Sequence, residues 1–260
     1  MPDDPADETV EIQWVYTPAD FFFGKIECAF GDYSVEIERG HVTARMSAIF
    51  YKPGIDFRRA LTEMLRNYFF VWQLDKLVAF EIHEGGVNRV LPDGRINSTL
   101  AVNNCSHGQI SDNVDLVQMH RTGAIVPNTQ REERFDAMRK LADFRLRHAS
   151  DPTTRRMLKS HGDSIAKPEQ KLFCLYEIWD ALMEYFEGGK NAQRILNIPQ
   201  KDLDTFNEIT CERQLRQGRH RGRHDTLRDA TAGELDDARR IAQDMMERYW
   251  SYLDDQQRAK

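Results

Sequence analysis

The sequence lacks the features that mark several large classes of protein. No stretch comes near the run of about 18 apolar residues that crosses a bilayer, so no membrane segment is expected. Glycine (15) and proline (9) are too few for a fibrous or low-complexity chain, and the aromatic share of 10% is too high for a disordered one. A chain of 260 residues with this composition is expected to fold into one large domain or two modest ones.

Cysteine is also scarce, and its placement argues against a zinc site or a redox pair. The four cysteines are Cys28, Cys105, Cys174 and Cys211, and no two of them have the short spacing of a zinc knuckle. His107 lies near Cys105, but these two ligands have no second pair to complete a site. The N-terminus, MPDDPADE, is acidic, unlike a secretion signal or a transit peptide. These observations predict free thiols, a cytoplasmic location, and no metal or cofactor.

The first 128 residues are typical of a β-rich domain. Three segments are rich in β-branched and aromatic residues with partial alternation: 9–17, 33–38 and 41–50. Gly40 is the expected turn between the second and the third. Residues 56–72 break the pattern with apolar positions at helical spacing, although their aromatic end, 68–72, suits a strand equally well. The sequence therefore predicts an antiparallel sheet with one helix.

Two further turns are expected later in this domain. Gly85-Gly86 separates two segments that resemble strands, 78–84 and 87–90, which predicts a β-hairpin. Pro92-Asp93-Gly94 is a second turn signal, and it precedes an expected strand over 96–102.

After Pro127 the sequence becomes helical. Asp151-Pro152 is the pattern of an N-cap followed by the first helical residue, and Thr231-x-x-Glu234 is that of a capping box. Gly188-Gly189 is expected to end the most apolar helix. Helices are expected over 131–148, from 151, over 168–186, 192–198, about 201–215, and 234–253. The predicted fold class is α+β, with an antiparallel β-rich domain over 1–128 and a helical bundle over 129–260.

Familiar catalytic motifs are absent from the sequence. It has no glycine-rich phosphate loop (G-x-x-x-x-G-K-[ST] or G-x-G-x-x-G), and no H-E-x-x-H or G-x-S-x-G. His83-Glu84-Gly85-Gly86 begins like a zinc-protease motif but lacks the second histidine. The remaining isolated histidines have no evident partners and are expected to be surface or structural residues: His41, His107, His120, His148 and His161.

One segment, residues 213–224, differs from the rest of the chain and is called the Arg-rich segment below. It contains five arginines and two histidines with no carboxylate, in a protein of net charge −6. These residues are Arg213, Arg216, Arg219, Arg221, Arg223, His220 and His224. A local positive patch of this kind attracts phosphate, either free or in a nucleic acid backbone, so RNA or another phosphate-bearing ligand is the expected partner.

The spacing within this segment adds a chemical possibility. Arg219 and His224 both face one phosphodiester if the segment is helical or turns tightly, and Gly222 between them disfavours an uninterrupted helix. A guanidinium neutralises the phosphate, and an imidazole near its pKa moves the proton of a ribose 2′-hydroxyl or of the leaving 5′-oxygen. These groups suffice for RNA cleavage without metal, with a 2′,3′-cyclic phosphate as the first product.

The C-terminal half resembles the HEPN superfamily, whose helical domains carry an R-x(4–6)-H motif before a loop and a final long helix. Here Arg219-His220-x-x-x-His224 precedes a loop and the helix from Glu234. The resemblance implies a homodimer with two motifs around one cleft. It also implies metal-independent RNase activity of the toxin or anti-phage kind, with Arg219 and His224 catalytic and His220 supporting. Arg213 to His220 fits the looser spacing too. The N-terminal half more vaguely resembles the sheet domain that precedes HEPN in some abortive-infection proteins.

Three alternatives to an RNase remain open from the sequence. In the first, the segment binds nucleic acid or protein without cleavage, with Arg213, Arg216, Arg221 and Arg223 among its contacts. In the second, its arginines pair with carboxylates of the same molecule; the candidates are Asp202, Asp204, Glu208, Glu212, Asp229, Glu234, Asp236 and Asp237. In the third, the protein is a small-molecule enzyme that uses the N-terminal sheet, and no motif in the sequence supports this alternative.

Overall fold

The computed structural model describes residues 8–22, 24–30, 32–51, 55–99, 140–219 and 226–259. These residues form two compact units. The sheet unit consists of those within Met1–Arg66 and Phe80–Pro127, and the helical unit of those within Asn67–Ala79 and Asn128–Lys260. The predicted boundary near residue 128 lies outside the described residues.

The sheet unit contains a six-stranded antiparallel sheet, with the strands in the order β2-β3-β4-β1-β5-β6. The elements are β1 (Thr9–Thr17), β2 (Ile26–Phe30), β3 (Tyr33–Glu38), β4 (His41–Ser47), α1 (Ile55–Lys76), β5 (Glu81–Val90) and β6 (Ile96–Thr99). An antiparallel sheet followed by helices in the C-terminal half confirms the predicted α+β class. The aromatic end of the predicted helix, which also suited a strand, is helical.

The inner face of the sheet is apolar. Alternate residues of a strand point to the same side, and on β1 these residues are apolar or aromatic. On β1, Val10, Ile12, Trp14 and Tyr16 are almost completely buried. The Trp14 indole Nε1 donates a hydrogen bond to Thr62 Oγ1 of α1 over 3.0 Å. The amphipathic first part of α1 therefore covers this face, as the helical spacing of the sequence predicted.

The hairpin predicted at Gly85-Gly86 is wrong, because β5 runs without a turn through both glycines. The pairing of β1 with β5 shifts register between Ile12 and Trp14. At this irregularity a Cβ on Gly85 would lie 2.8 Å from the Gln13 carbonyl oxygen. A glycine is needed here so that the two backbones can approach closely, which is a common role for glycine within a strand.

The other predicted turns of the sheet unit are present. Gly40 has a φ of 87° and follows Arg39 between β3 and β4. Gly94 has a φ of 81°, and its N–H donates to the Leu91 carbonyl over 2.9 Å. The edge strand β2 was not predicted, since its five residues show no clean alternation. The end of the expected strand over 96–102 lies outside the described residues.

The helical unit holds the last part of α1, a helical stretch over 140–146, and five further helices. These are α2 (Pro152–Ala166), α3 (Lys171–Tyr185), α4 (Gly189–Ile195), α5 (Gln200–Asn207) and α6 (Ala232–Arg258). A short 3₁₀ turn (Pro168–Gln170) precedes α3, and a π-helical turn (Glu208–Glu212) follows α5. Across the described residues, none of the helices combines the length and the apolar character needed to cross a membrane.

The predicted helix caps are confirmed. Asp151 accepts a hydrogen bond from the Thr154 N–H over 2.7 Å at the start of α2. Thr231 and Glu234 form a complete capping box at the start of α6. The helix expected over 201–215 is wrong at its end, because the backbone of Arg213 is extended. Contacts of Arg213 with carboxylates on either side of it outweigh its helical propensity there.

One buried histidine makes the stability of the helical unit sensitive to acid. His161 on α2 is 1% exposed, and its Nε2 lies 3.4 Å from Gln243 Nε2 of α6. Burial, reinforced by Arg239 and Arg145, lowers the pKa of His161 from 6.5 to about 3. The folded state therefore keeps the imidazole neutral where the unfolded chain binds a proton.

We expect the free energy of unfolding to decrease as the pH falls from about 6.5 toward 3, by up to about 1.4 kcal/mol per pH unit from His161 alone. Urea unfolding between about pH 6.5 and pH 5 measures the slope, in a range where most carboxylates stay ionised. His161→Gln should flatten it. An equal slope in the variant and the wild type would contradict this assignment.

Candidate functional site

Backbone hydrogen bonds join the start of the Arg-rich segment to Arg228, which follows the segment in the chain. Leu215 and Arg228 form a parallel β-bridge. The Arg216 N–H donates to the Arg228 carbonyl over 3.0 Å, and the Arg228 N–H donates to the Gln214 carbonyl over 3.1 Å. The bridge therefore fixes the positions of Leu215 and Arg228 relative to each other.

Three further contacts anchor the described start of the loop to the helices. The Gln217 carbonyl accepts a hydrogen bond from the Phe173 N–H of α3 over 3.1 Å. The Gln217 side chain accepts from the Ala230 N–H over 3.1 Å. The Arg219 N–H donates to the Thr210 carbonyl of the π-helical turn over 2.8 Å. The backbone of Arg219 is therefore held at a defined place on the helical unit.

Arg213 forms ion pairs with two carboxylates. Its Nη1 lies 2.5 Å from Glu234 Oε1, and its Nη2 lies 2.9 Å from Glu208 Oε1. Arg228 also binds Glu234, with its Nη2 at 2.5 Å from the same oxygen. The Arg228 guanidinium, together with Thr231 and Arg213, holds the pKa of Glu234 well below its usual range. Two arginines thus share one buried carboxylate that also caps α6.

Arg219 is held differently, on the surface of α3. Its guanidinium carbon lies 4.4 Å from the centre of the Tyr176 ring, within the range of a cation–π contact. Its Nη1 lies 3.1 Å from Asp180 Oδ2 and 3.3 Å from Asp180 Oδ1. Tyr176 and Asp180 are one turn apart on α3, so both present their side chains to the same guanidinium. The Arg219 side chain remains 35% exposed.

Apart from Arg219 and Asp180, the groups beside Tyr176 described here, Phe206 and Cys211, are uncharged. The ring stacks on Phe206 of α5 at a centroid distance of 6.2 Å and an interplanar angle of 7°. Burial raises the pKa of Tyr176, and burial likewise raises the pKa of the neighbouring Cys211 thiol. Both groups are therefore neutral at neutral pH. Arg219 and Asp180 carry the formal charges of this site.

Arg216 is the most exposed arginine in the described part of the segment, at 66% of its side chain. Its Nε lies 3.9 Å from Asp229, itself 72% exposed, which is a weak contact in water. Arg216 is therefore more available to an external anion than Arg213, whose guanidinium already contacts two carboxylates.

The structure thus separates the predicted site residues that it describes. Arg213 contacts Glu208 and Glu234, whereas Arg219 contacts Asp180 and Tyr176. The expectation that acidic side chains of the same molecule pair with these arginines is confirmed for Glu208, Asp229 and Glu234. The predicted site residues that lie outside the described residues are His220, Arg221, Arg223 and His224.

Sequence reasoning missed the contribution of α3. Tyr176 lies in the helix that the sequence predicts to be the most apolar, but its side chain is partly exposed and lies against Arg219. Asp180 was not among the predicted site residues. The available signal was an acidic residue four positions after an aromatic one on the same face of the helix.

Two other expectations about chemistry can be compared with the structure. His41 is exposed on β4. His148 is 2% exposed and has its Nε2 at 2.9 Å from Asp254 Oδ1, which agrees with a structural role. His107 and His120 lie outside the described residues. Within the described ranges, no three His, Cys, Asp or Glu side chains are grouped as metal ligands would be.

Comparisons with protein-family models, with curated proteins and with solved structures find no match for this chain. The function is therefore argued from the residues themselves.

Proposed function

We propose that this chain is a metal-independent endoribonuclease of the HEPN type, with the role of a toxin-like or anti-phage effector. The observation that carries the proposal is the placement of Arg219. Its guanidinium is oriented by Tyr176 and Asp180 and is still about one-third exposed, directly before His220 in the chain. A fixed, solvent-accessible guanidinium is suited to bind a phosphodiester.

The proposed reaction uses two kinds of group. Arg219 binds a non-bridging phosphate oxygen and neutralises the charge that develops there. A neutral His224 takes the proton of the ribose 2′-hydroxyl, whose oxygen attacks phosphorus, and the bond to the 5′-oxygen breaks. A protonated imidazole gives that oxygen its proton. In the homodimer that the resemblance implies, two copies of His224 supply the base and the acid at one cleft, with His220 supporting them.

Arg219→Ala should lower the cleavage rate by about 100-fold, because one preorganised donor to the reacting phosphate is lost. Arg219→Lys should give an intermediate rate, since a lysine keeps the charge but not the planar, forked donor set. The measurement is cleavage of labelled single-stranded RNA in EDTA.

The matched control is Arg155→Ala, which removes an exposed arginine of α2 and should leave the rate unchanged. A wild-type rate for Arg219→Ala would show that this guanidinium does not serve the reaction.

A second candidate function is a nucleic-acid or protein-binding module without cleavage. The observation in its favour is that Asp180 already compensates the charge of Arg219, whereas Arg216 is the most exposed arginine in the described part of the Arg-rich segment. In this case RNA binding is salt-sensitive and occurs without turnover. Arg216, Arg219, Arg221 and Arg223 then contribute about equally, and no single histidine dominates.

A further inference from the structure

We propose that Asp180 restrains the Arg219 site, because its carboxylate occupies the guanidinium that RNA has to reach. The inference rests on the proposed function, since it takes Arg219 to be a ligand of the RNA phosphate. It adds a regulating residue, contributed by α3, that the Arg-rich segment does not contain.

The geometry of the ion pair places Asp180 where it competes with a phosphate for the Arg219 guanidinium. Both carboxylate oxygens of Asp180 lie within 3.3 Å of the same guanidinium nitrogen, Nη1. Among the described residues, Nε and Nη2 of Arg219 have no hydrogen-bond partner. A phosphate that approaches Arg219 can use these two donors only beside an existing negative charge, or it can displace Asp180 from Nη1.

Displacement is feasible because the ion pair is not buried. The Arg219 side chain is 35% exposed and that of Asp180 is 29% exposed. Ion pairs in contact with water contribute little to stability, so they open readily when a stronger partner arrives. Tyr176 stays beneath the guanidinium when the pair opens, because its ring is fixed against Phe206.

The Asp180→Asn variant distinguishes the effect of the negative charge of Asp180 from its effect on the position of the Arg219 guanidinium. The amide oxygen of Asp180→Asn still accepts a hydrogen bond from Nη1, so the guanidinium keeps its orientation. The negative charge beside the phosphate is removed. If Asp180 acts as a restraint, this variant binds RNA more tightly than the wild type; if Asp180 serves to position Arg219, the variant gains nothing.

Glu184 provides the matched control. It lies one turn beyond Asp180 on α3 and pairs with Arg156 rather than with the Arg-rich segment. Glu184→Gln changes the net charge of the protein and of the helix by the same amount as Asp180→Asn. Any effect of overall charge on RNA affinity therefore appears equally in both variants.

The experiment measures the affinity for a fluorescein-labelled 2′-O-methyl oligouridine by fluorescence anisotropy. This probe stays intact because it lacks the attacking hydroxyl. Asp180→Asn should lower the Kd by about three- to fivefold, the range that an exposed ion pair provides. Glu184→Gln should leave the Kd unchanged, and in an Arg219→Ala background Asp180→Asn should have no effect. Asp180→Ser serves as a second neutral variant if the asparagine variant does not fold.

The outcomes separate the two proposals. If Arg219→Ala weakens binding but Asp180→Asn binds like the wild type or more weakly, the restraint is overturned and Arg219 remains a phosphate ligand. If Asp180→Asn and Glu184→Gln strengthen binding equally, the effect is one of net charge and the restraint is again overturned. If Arg219→Ala leaves binding unchanged, Arg219 is not a phosphate ligand, and the proposed function fails together with this inference.

Discussion

Replacing His224 with Ala abolishes RNA cleavage, with an expected loss of about 1,000-fold or more. The imidazole is the group proposed to take the 2′-hydroxyl proton and to protonate the leaving 5′-oxygen. No water or neighbouring arginine replaces it in either step, because a guanidinium stays protonated at any ordinary pH. RNA affinity should change little, since Arg219, the proposed phosphate ligand, is retained, and the melting temperature should also change little. The measurement is single-turnover cleavage of labelled RNA in EDTA.

The control for this prediction is His41→Ala. His41 is an exposed histidine of β4, outside the Arg-rich segment, and its removal should leave the rate at the wild-type value. Cleavage that survives in His224→Ala would end the assignment of this residue. A rate lost in both variants would mean that the assay reports folding rather than chemistry.

Replacing Glu234 with Ala should reduce the free energy of unfolding by about 2–3 kcal/mol, since it removes charge-assisted hydrogen bonds and part of the cap of α6. Glu234 is 7% exposed and is the shared partner of Arg213 and Arg228. Its carboxylate also accepts a hydrogen bond from the Thr231 N–H over 2.8 Å. The substitution leaves two guanidinium groups without their common carboxylate and removes half of the capping box of α6. Urea denaturation of the full chain measures the loss, and the melting temperature should fall by about 10 °C.

Asp236→Ala is the matched control for Glu234→Ala. Asp236 lies two positions further along the same helix, is 70% exposed and pairs with Arg239 at its surface. Its removal should change the free energy of unfolding by less than about 0.5 kcal/mol. Equal losses in the two variants would contradict the central role given to the buried Glu234 cluster.

Features that depend on neighbouring residues were predictable from the sequence. The N-cap Asp151 and the capping box of Thr231 and Glu234 depend on contacts three residues apart, and both are present. The same holds for the alternation of β1 and for the turn at Gly40. Such patterns are visible in the sequence without knowledge of the tertiary contacts.

Features that depend on tertiary contacts were not predictable. Gly85-Gly86 has the composition of a turn, and only the pairing of β5 with β1 shows that it accommodates a close approach of two strands. The end of the helix near Arg213 similarly depends on Glu234, which is 21 residues away in the sequence. The residues near Arg213 in the sequence do not show that an ion pair with a distant residue outweighs their helix propensity.

The candidate site shows the same division. The positive charge of the Arg-rich segment is visible in the sequence, because it needs only composition. The residues that orient Arg219 belong to α3, which is distant in sequence: Asp180 lies 39 positions before Arg219. They belong to the site because the described start of the Arg-rich segment packs against α3. This packing places the Arg219 guanidinium over Tyr176 and beside Asp180.

The most direct test of the central claim is the chemistry of the RNA ends that the purified protein produces in EDTA. Single-stranded RNA and tRNA, labelled at the 5′ end, are incubated with the wild type and with His224→Ala. The account predicts wild-type fragments ending in a 2′,3′-cyclic phosphate, and intact RNA with the variant. Intact RNA with both proteins, together with salt-dependent binding by both, would contradict it and favour the binding module.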